Sequence, residues 1–137
     1  MDSSPAPNSV ALGTTLIRVF AGLYMAAAHG WGKLMSTIGM LQGEEWGFVN
    51  VVADLGFPFP AFFAANAALA EFFGGLFVAA GLFTRYSSAI LGFTMAVASY
   101  QHLRQGESAE LALFYLVVCV AYILIGGGKY SLDAKRG

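Results

Sequence analysis

Four apolar runs separated by short polar segments dominate the hydropathy pattern of this 137-residue chain. The runs cover residues 10–35, 61–83, 86–103 and 110–125. An apolar helix of about 20 residues crosses the hydrocarbon core of a bilayer, and short connections place successive helices side by side in opposite directions. The pattern therefore predicts an all-α fold, a membrane-spanning antiparallel four-helix bundle.

The segment between the first two runs, residues 36–60, interleaves acidic and amide side chains with apolar ones. Amphipathic segments of this kind lie in the membrane interface, so we expect a short interfacial helix here with Trp46 at headgroup level. Gly-Phe-Pro-Phe-Pro at residues 56–60 then ends the segment, because proline is tolerated at a helix start but not in its interior. The predicted organisation is an N-terminal tail (1–9), a four-helix transmembrane domain (10–128) and a cytoplasmic C-terminal tail (129–137).

The composition supports a membrane location, since 58% of the residues are hydrophobic and only 11% are charged. The lipid bilayer is therefore the first expected partner of this multi-pass chain. The net charge of -1 provides no basic surface of the kind that nucleic acid requires, so nucleic acid is not expected as a partner. Arg85, Lys129, Lys135 and Arg136 fall on the side of the two termini, and the positive-inside rule places that side in the cytoplasm.

Two charged residues fall at membrane depth, Arg18 in the first run and Glu71 in the second. At about 1.5 Å per residue they lie roughly 12 Å and roughly 18 Å from the cytoplasmic ends of their helices, a gap that an arginine side chain can bridge. Because an unpaired charge at this depth is costly, we expect a structural buried ion pair between Arg18 and Glu71. A proton or quinone-headgroup site at the same two residues is the alternative.

A second polar group is expected near the external ends of the helices, where His29, Lys33, His102 and Glu110 are the candidate ligand-binding residues. The histidines and Lys33 could hydrogen-bond a quinone, whereas bis-histidine ligation of haem is less favoured, and a third interpretation is that the histidines only finish helix ends. No metal site is predicted, because the possible ligands His29, His102, Glu71 and Glu110 come from four separate helices and form no i, i+3 or i, i+4 ligand pair. Catalytic residues cannot be assigned from the sequence.

Several motifs occur in a defined order along the chain. They are L-I-R-V-F-A-G-L-Y (residues 16–24), A-H-G-W-G-K-L (28–34), G-F-P-F-P (56–60), A-E-F-F-G-G-L-F-V-A-A-G-L-F-T-R (70–85), a histidine ending the third run, E-L-A-L-F-Y-L (110–116) and G-K-Y-S-L-D (128–133). In this order they resemble the DoxX family of small four-helix bacterial membrane proteins. The resemblance covers almost the whole chain and implies a location in a bacterial-type plasma (inner) membrane.

The resemblance also implies a redox association. The family takes its name from a subunit of an archaeal membrane complex that oxidises thiosulfate and passes electrons to quinone, and other members are linked to oxidative-stress or thiol-redox assemblies. We therefore expect a membrane subunit or partner of a respiratory or thiol-redox complex, with a quinone-type ligand pocket near the external face. The alternatives are a non-catalytic accessory or assembly subunit of a larger membrane complex, and a small-molecule or proton conduit. Whether the protein is an enzyme stays open, and any oxidoreductase activity would be quinone-linked and belong to a complex.

Overall fold

The computed structural model describes residues 7–137, and within that range the chain is helical and contains no strand. Its helices are α1 (Asn8–Leu41), α2 (Phe48–Asp54), α3 (Pro60–Ala80), α4 (Thr84–Arg104), α5 (Glu110–Ile125) and α6 (Leu132–Arg136). The predicted all-α class is confirmed. The short helix α2 occupies the amphipathic segment between the first two apolar runs, where a short helix was predicted.

Two helices among residues 7–137 are long and apolar enough to cross a membrane, by length and composition: α1 with 34 residues and α3 with 21 residues. The apolar helix α5 is shorter than these two. Helix α4 also has 21 residues but carries more polar side chains, and it does not reach the same hydropathy. The spanning of all four long helices therefore stays a prediction.

The boundaries of α3 follow from local backbone chemistry. Pro60 occupies the first helical position, where its missing N–H costs nothing. At the other end Gly81 takes a left-handed conformation with φ 68°, and Leu82 N–H donates to Phe77 O over 2.9 Å. This arrangement is the usual way in which a glycine ends a helix.

Helices α1 and α3 cross at very short range because both carry glycine at the contact. A Cβ atom at Gly22 would overlap the carbonyl oxygen of Gly75, and a Cβ atom at Gly30 would overlap the backbone of Phe72. Beside the crossing each helix contains a π-helical turn, Met25–Gly30 in α1 and Ala70–Gly74 in α3, and the two turns contact each other. Such turns insert one extra residue into a helix and are frequent at functional sites.

The core lies where the long helices meet. It contains Ala21 and Met25 of α1, Val78 of α3, Leu91 and Met95 of α4, and Tyr115 and Cys119 of α5. Helices α1 and α3 pack extensively against each other, and so do α4 and α5. The buried Tyr122 hydroxyl of α5 donates to the Thr14 carbonyl of α1, which ties these two helices together.

The C-terminal segment (residues 130–136) folds back onto the turn between α3 and α4. Asp133 accepts hydrogen bonds from Phe83 N–H over 2.7 Å, from Thr84 N–H over 2.8 Å and from the Thr84 hydroxyl over 2.7 Å. Those N–H groups begin α4 and have no partner within the helix, so Asp133 supplies the cap from about 50 residues away. The segment predicted as a C-terminal tail thus contributes to the fold.

The predicted N-terminal tail lies partly outside the described residues, namely residues 1–6. Within the described part, α1 already begins at Asn8, two residues before the predicted start of the first run.

Candidate functional site

Lys33 and Glu71 form a close ion pair between α1 and α3, with 2.6 Å between Lys33 Nζ and Glu71 Oε1. The Glu71 side chain is only 2% exposed, whereas that of Lys33 is 31% exposed. The Lys33 ammonium also lies 4.9 Å from the centroid of the Phe48 ring in α2, within cation–π range. The cation that a buried glutamate requires is therefore supplied by Lys33.

Arg18 does not contact Glu71, so the predicted Arg18–Glu71 ion pair is not formed. The guanidinium is buried and donates from Nη1 to Val78 O over 2.9 Å and to Ala79 O over 2.5 Å. From Nη2 it donates to Tyr130 O over 2.9 Å. Val78 and Ala79 belong to the last turn of α3, where carbonyls lack intrahelical partners and the helix dipole is negative. Arg18 thus satisfies a helix end and holds the C-terminal segment.

The stagger between α1 and α3 explains this difference. The predicted pair assumed that the cytoplasmic ends of α1 and α3 lie in one plane, but the Arg18 guanidinium lies level with Ala79 at the very end of α3. Glu71 comes eight residues before Ala79 in α3, which places it about 12 Å from Ala79 along the helix axis. Lys33, near the other end of α1, is the residue that reaches it.

A cavity of about 540 Å³ lies between α2, the first half of α3 and α4. It exists because α4 contacts α3 along residues 70–80 and separates from it along residues 60–69, while α2 covers the gap. Its walls are mainly apolar, and they include Val51, Val52, Leu55, Phe57, Phe62, Phe63, Ala67, Ala70, Ala89, Ile90, Phe93, Val97 and Ala98. This volume and this apolar lining are typical of a small-molecule site.

The polar groups of the cavity are few. They are Lys33, Asn66, Glu71, Thr94, Gln101 and His102. Glu71 Oε2 is buried and has no hydrogen-bond partner among residues 7–137. A buried acceptor without a partner costs free energy, so a donor from a bound molecule would stabilise it.

His102 lies at the end of α4, and its Nδ1 is 2.8 Å from Glu107 Oε2 in the following turn. Both side chains are substantially exposed, at 39% and 57%. This pairing orients the imidazole at one end of the cavity. The arrangement places Lys33 and His102, two of the four candidate ligand-binding residues, on the same cavity.

His29 and Glu110 do not line this cavity. The His29 ring packs edge-on against Tyr115 of α5, with 6.1 Å between ring centroids, and lies near Tyr24. Glu110 is an exposed residue at the first position of α5. The structure therefore does not offer His29 and His102 one shared site, and the pair does not fit bis-histidine ligation of a haem in this cavity.

His29 and Lys33 contact different helices. Four residues apart in a regular α-helix, the two side chains would lie close to one face. His29 lies inside the π-helical turn Met25–Gly30, and Lys33 lies beyond it. The His29 ring contacts Tyr115 of α5, whereas Lys33 reaches Glu71 of α3.

The walls of the cavity were not predicted from the sequence. Alanines on the facing surfaces of α3 and α4, Ala67, Ala70, Ala89 and Ala98, leave the space, and Phe57 and Phe63 close one end with their ring centroids 5.0 Å apart. The alanine-rich face of the second run, next to an amphipathic segment, was a sequence feature that could have indicated a cavity. Whether those alanines leave a space depends on how far α3 and α4 diverge, which is a tertiary property.

Part of the cavity wall is open at the molecular surface. Phe62, Ile90 and Phe93 line the cavity and are 63%, 60% and 63% exposed. These residues lie on neighbouring faces of α3 and α4, so the opening is lateral and apolar. An apolar molecule could enter the cavity through this opening.

Comparisons with curated proteins and with solved structures return no match. The model of the DoxX family matches residues 13–102, a range that contains the α1–α3 crossing, the Lys33–Glu71 pair and the cavity-lining residues. This match covers well over half of the chain, and it agrees with the resemblance that the motifs indicated. The chain therefore belongs to the DoxX family of membrane proteins.

Proposed function

We propose that this protein binds a lipid-soluble molecule of the quinone type in the cavity between α2, α3 and α4, as a membrane subunit or partner of a redox complex. The observation that carries the proposal is the cavity itself. It combines apolar walls with one partly buried ion pair, so it suits a molecule with an apolar body and a small polar end. The redox association rests on the resemblance to the family and not on the geometry.

We further propose that α1, α3, α4 and α5 span the membrane as an antiparallel four-helix bundle of a bacterial inner membrane. Arg85, Lys129, Lys135 and Arg136 lie at the end of the molecule that carries the C-terminal segment, which supports a cytoplasmic position for both termini. The cavity lies at the opposite end, beside α2. In this orientation the ligand would be held in the outer leaflet.

Purification with ligand analysis tests the proposal. The protein is isolated in mild detergent, and its organic extract is compared by mass spectrometry with that of Ala98→Phe. Ala98 is half-buried and lines the cavity, so a phenylalanine there would fill part of it. Ala96→Phe is the matched control, because Ala96 lies on the same helix, is exposed and does not line the cavity.

The expected result is a stoichiometric lipid-soluble compound in the wild type and in Ala96→Phe that is lost in Ala98→Phe. Equal extracts from all three proteins would contradict the proposal. A protein partner that co-purifies while the extract stays empty would instead favour the accessory-subunit alternative.

A further inference from the structure

We infer that the cavity selects a neutral ligand whose polar end carries a hydroxyl group, with the hydroxyl donating to Glu71 and accepting from Lys33. The inference rests on the proposed function, since it names the chemical class that the same cavity takes. The cavity should bind hydroxyl-bearing molecules more tightly than molecules of the same shape that only accept hydrogen bonds.

The need for a donor comes from the Glu71 carboxylate. One of its oxygens, Oε1, accepts from Lys33 over 2.6 Å, while Oε2 has no partner among residues 7–137. A carboxylate oxygen can only accept. A ligand carbonyl or ether oxygen also only accepts, so it would leave Oε2 unsatisfied, whereas a hydroxyl hydrogen would satisfy it.

The need for an acceptor comes from Lys33. An ammonium carries three donors, and one of them is directed at Glu71 Oε1. The side chain is 31% exposed and lines the cavity, so donors are left for a ligand oxygen. A hydroxyl group supplies both halves of the match, because it donates one hydrogen and accepts through its lone pairs.

Charge balance restricts the ligand to neutral molecules. Lys33 and Glu71 neutralise each other, and the remaining wall is largely apolar. A carboxylate headgroup would compete with Glu71 for the ammonium, and a cationic headgroup would bring a second cation beside Lys33. Either would bury a net charge, which is costly in surroundings of low polarity.

The shape of the wall favours a ring next to the hydroxyl. The Phe48 ring stands beside the ion pair in this wall, with its centroid 4.9 Å from Lys33 Nζ, and Phe57, Phe63 and Phe93 add aromatic side chains elsewhere in the cavity. Aromatic walls pack well against another ring. A phenol with an alkyl chain therefore fits every named feature, and in a quinone couple the reduced, hydroxyl-bearing member would be the preferred form.

The test uses three probes that share one apolar body: 4-decylphenol, its methyl ether 4-decylanisole, and 4-decylbenzoic acid. Purified full-length protein is placed in phosphatidylcholine nanodiscs. Tritiated 4-decylphenol is bound in a scintillation proximity assay, and the three unlabelled compounds compete with it. The amount of tritiated 4-decylphenol that Ala98→Phe still binds measures binding outside the cavity, and Ala96→Phe is the matched control.

We expect 4-decylphenol to compete at least about tenfold better than 4-decylanisole, because the ether cannot donate to a charged acceptor. The benzoic acid should compete more weakly than the phenol. In the double variant Lys33→Met/Glu71→Met, which leaves no unpaired charge, the phenol and the anisole should compete equally.

The outcomes separate the inference from the proposed function. Equal competition by phenol and anisole in the wild type, with binding lost in Ala98→Phe, would overturn the inference while the cavity stays a ligand site. Saturable binding that Ala98→Phe leaves unchanged, or no saturable binding of any probe, would overturn the proposed function as well.

Discussion

Only one partner of the Lys33–Glu71 ion pair, Glu71, is buried. Glu71 is 2% exposed, whereas Lys33 is 31% exposed and can turn its ammonium toward the surface. The two residues are therefore not equivalent, even though they share one contact. An isolated lysine here can keep its charge in a polar environment, but an isolated glutamate is left with a desolvated carboxylate.

We predict that Lys33→Met destabilises the protein more than Glu71→Gln does. Lys33→Met should cost on the order of 3 kcal/mol, since it strands the buried carboxylate. Glu71→Gln should cost clearly less, because an amide oxygen still accepts from Lys33. Thermal unfolding of the detergent-solubilised variants measures the order, and the reverse order would mean that Glu71 has another cation.

Arg18 and Glu71 should act independently, because Arg18 binds carbonyl oxygens at the end of α3 and Glu71 binds Lys33. We predict that Arg18→Ala and Glu71→Ala lower the free energy of unfolding additively, within about 0.5 kcal/mol. A double variant that is distinctly more stable than the sum of the two single changes would restore the direct pair that the sequence suggested.

For individual residues, the sequence showed which side chains needed partners but not which partners they found. Arg18 and Glu71 were recognised as costly charges, and Lys33 and His102 as members of one polar region. The Lys33–Glu71 contact depends on the stagger of two helices, and His29 lies inside a π-helical turn. Neither property is contained in residue spacing, because both arise when helices pack.

At the scale of helices, the crossing of α1 and α3 sets the position of the ion pair. Gly22 and Gly75 allow the two backbones to approach, and Ala26 lies beside them. Small residues are the usual means of close helix packing in membranes, where van der Waals contact has to replace the hydrophobic effect. The crossing thus fixes the stagger that brings Lys33 to Glu71.

We predict that Gly22→Ala lowers the thermal midpoint of unfolding, since its methyl group would overlap the Gly75 carbonyl and force α1 and α3 apart. Gly13→Ala is the matched control on the same helix, because a Cβ there meets no described atom within 4 Å. That change should be neutral or stabilising by up to about 1 kcal/mol through helix propensity. Equal effects of the two substitutions would contradict the role of the crossing.

The helices themselves were largely predictable. Helix α5 begins at Glu110 and ends at Ile125, as its apolar run indicated, and Pro60 begins α3. Helix α1 extends to Leu41, several residues beyond the predicted end of the first run, because no proline or turn signal stops it earlier. The two π-helical turns were not predictable, since one inserted residue leaves no mark in the apolar pattern.

At the scale of the whole molecule, the C-terminal segment joins elements that are distant in sequence. Tyr130 O accepts from Arg18 of α1, and Asp133 caps the start of α4. Desolvation alone would raise the pKa of Asp133, but hydrogen bonds from Thr84 and Phe83 and the charge of Arg136 outweigh it and hold the pKa below its ordinary value of 3.8. The cap is therefore strongest when Asp133 is ionised.

We predict that this stabilisation is fully present above about pH 4 and is lost as the pH falls through the lowered pKa of folded Asp133. Asp133→Asn should remove most of it at neutral pH. Hydrogen exchange of the peptide covering residues 129–137 measures the effect, with Lys135→Ala as an exposed control. Protection in Asp133→Asn equal to that of the wild type would show that Asp133 does not hold the segment.

The cavity is the central feature of the whole molecule, and a photoaffinity experiment tests it most directly. An alkylphenol carrying a diazirine on its chain is cross-linked to the protein in nanodiscs, and the labelled peptides are mapped by mass spectrometry. We predict labels on cavity residues such as Phe62, Ile90 and Phe93, removed by excess 4-decylphenol and absent in Ala98→Phe. Labels spread evenly over exposed apolar residues such as Val117 and Leu124, and unaffected by competitor, would contradict the account.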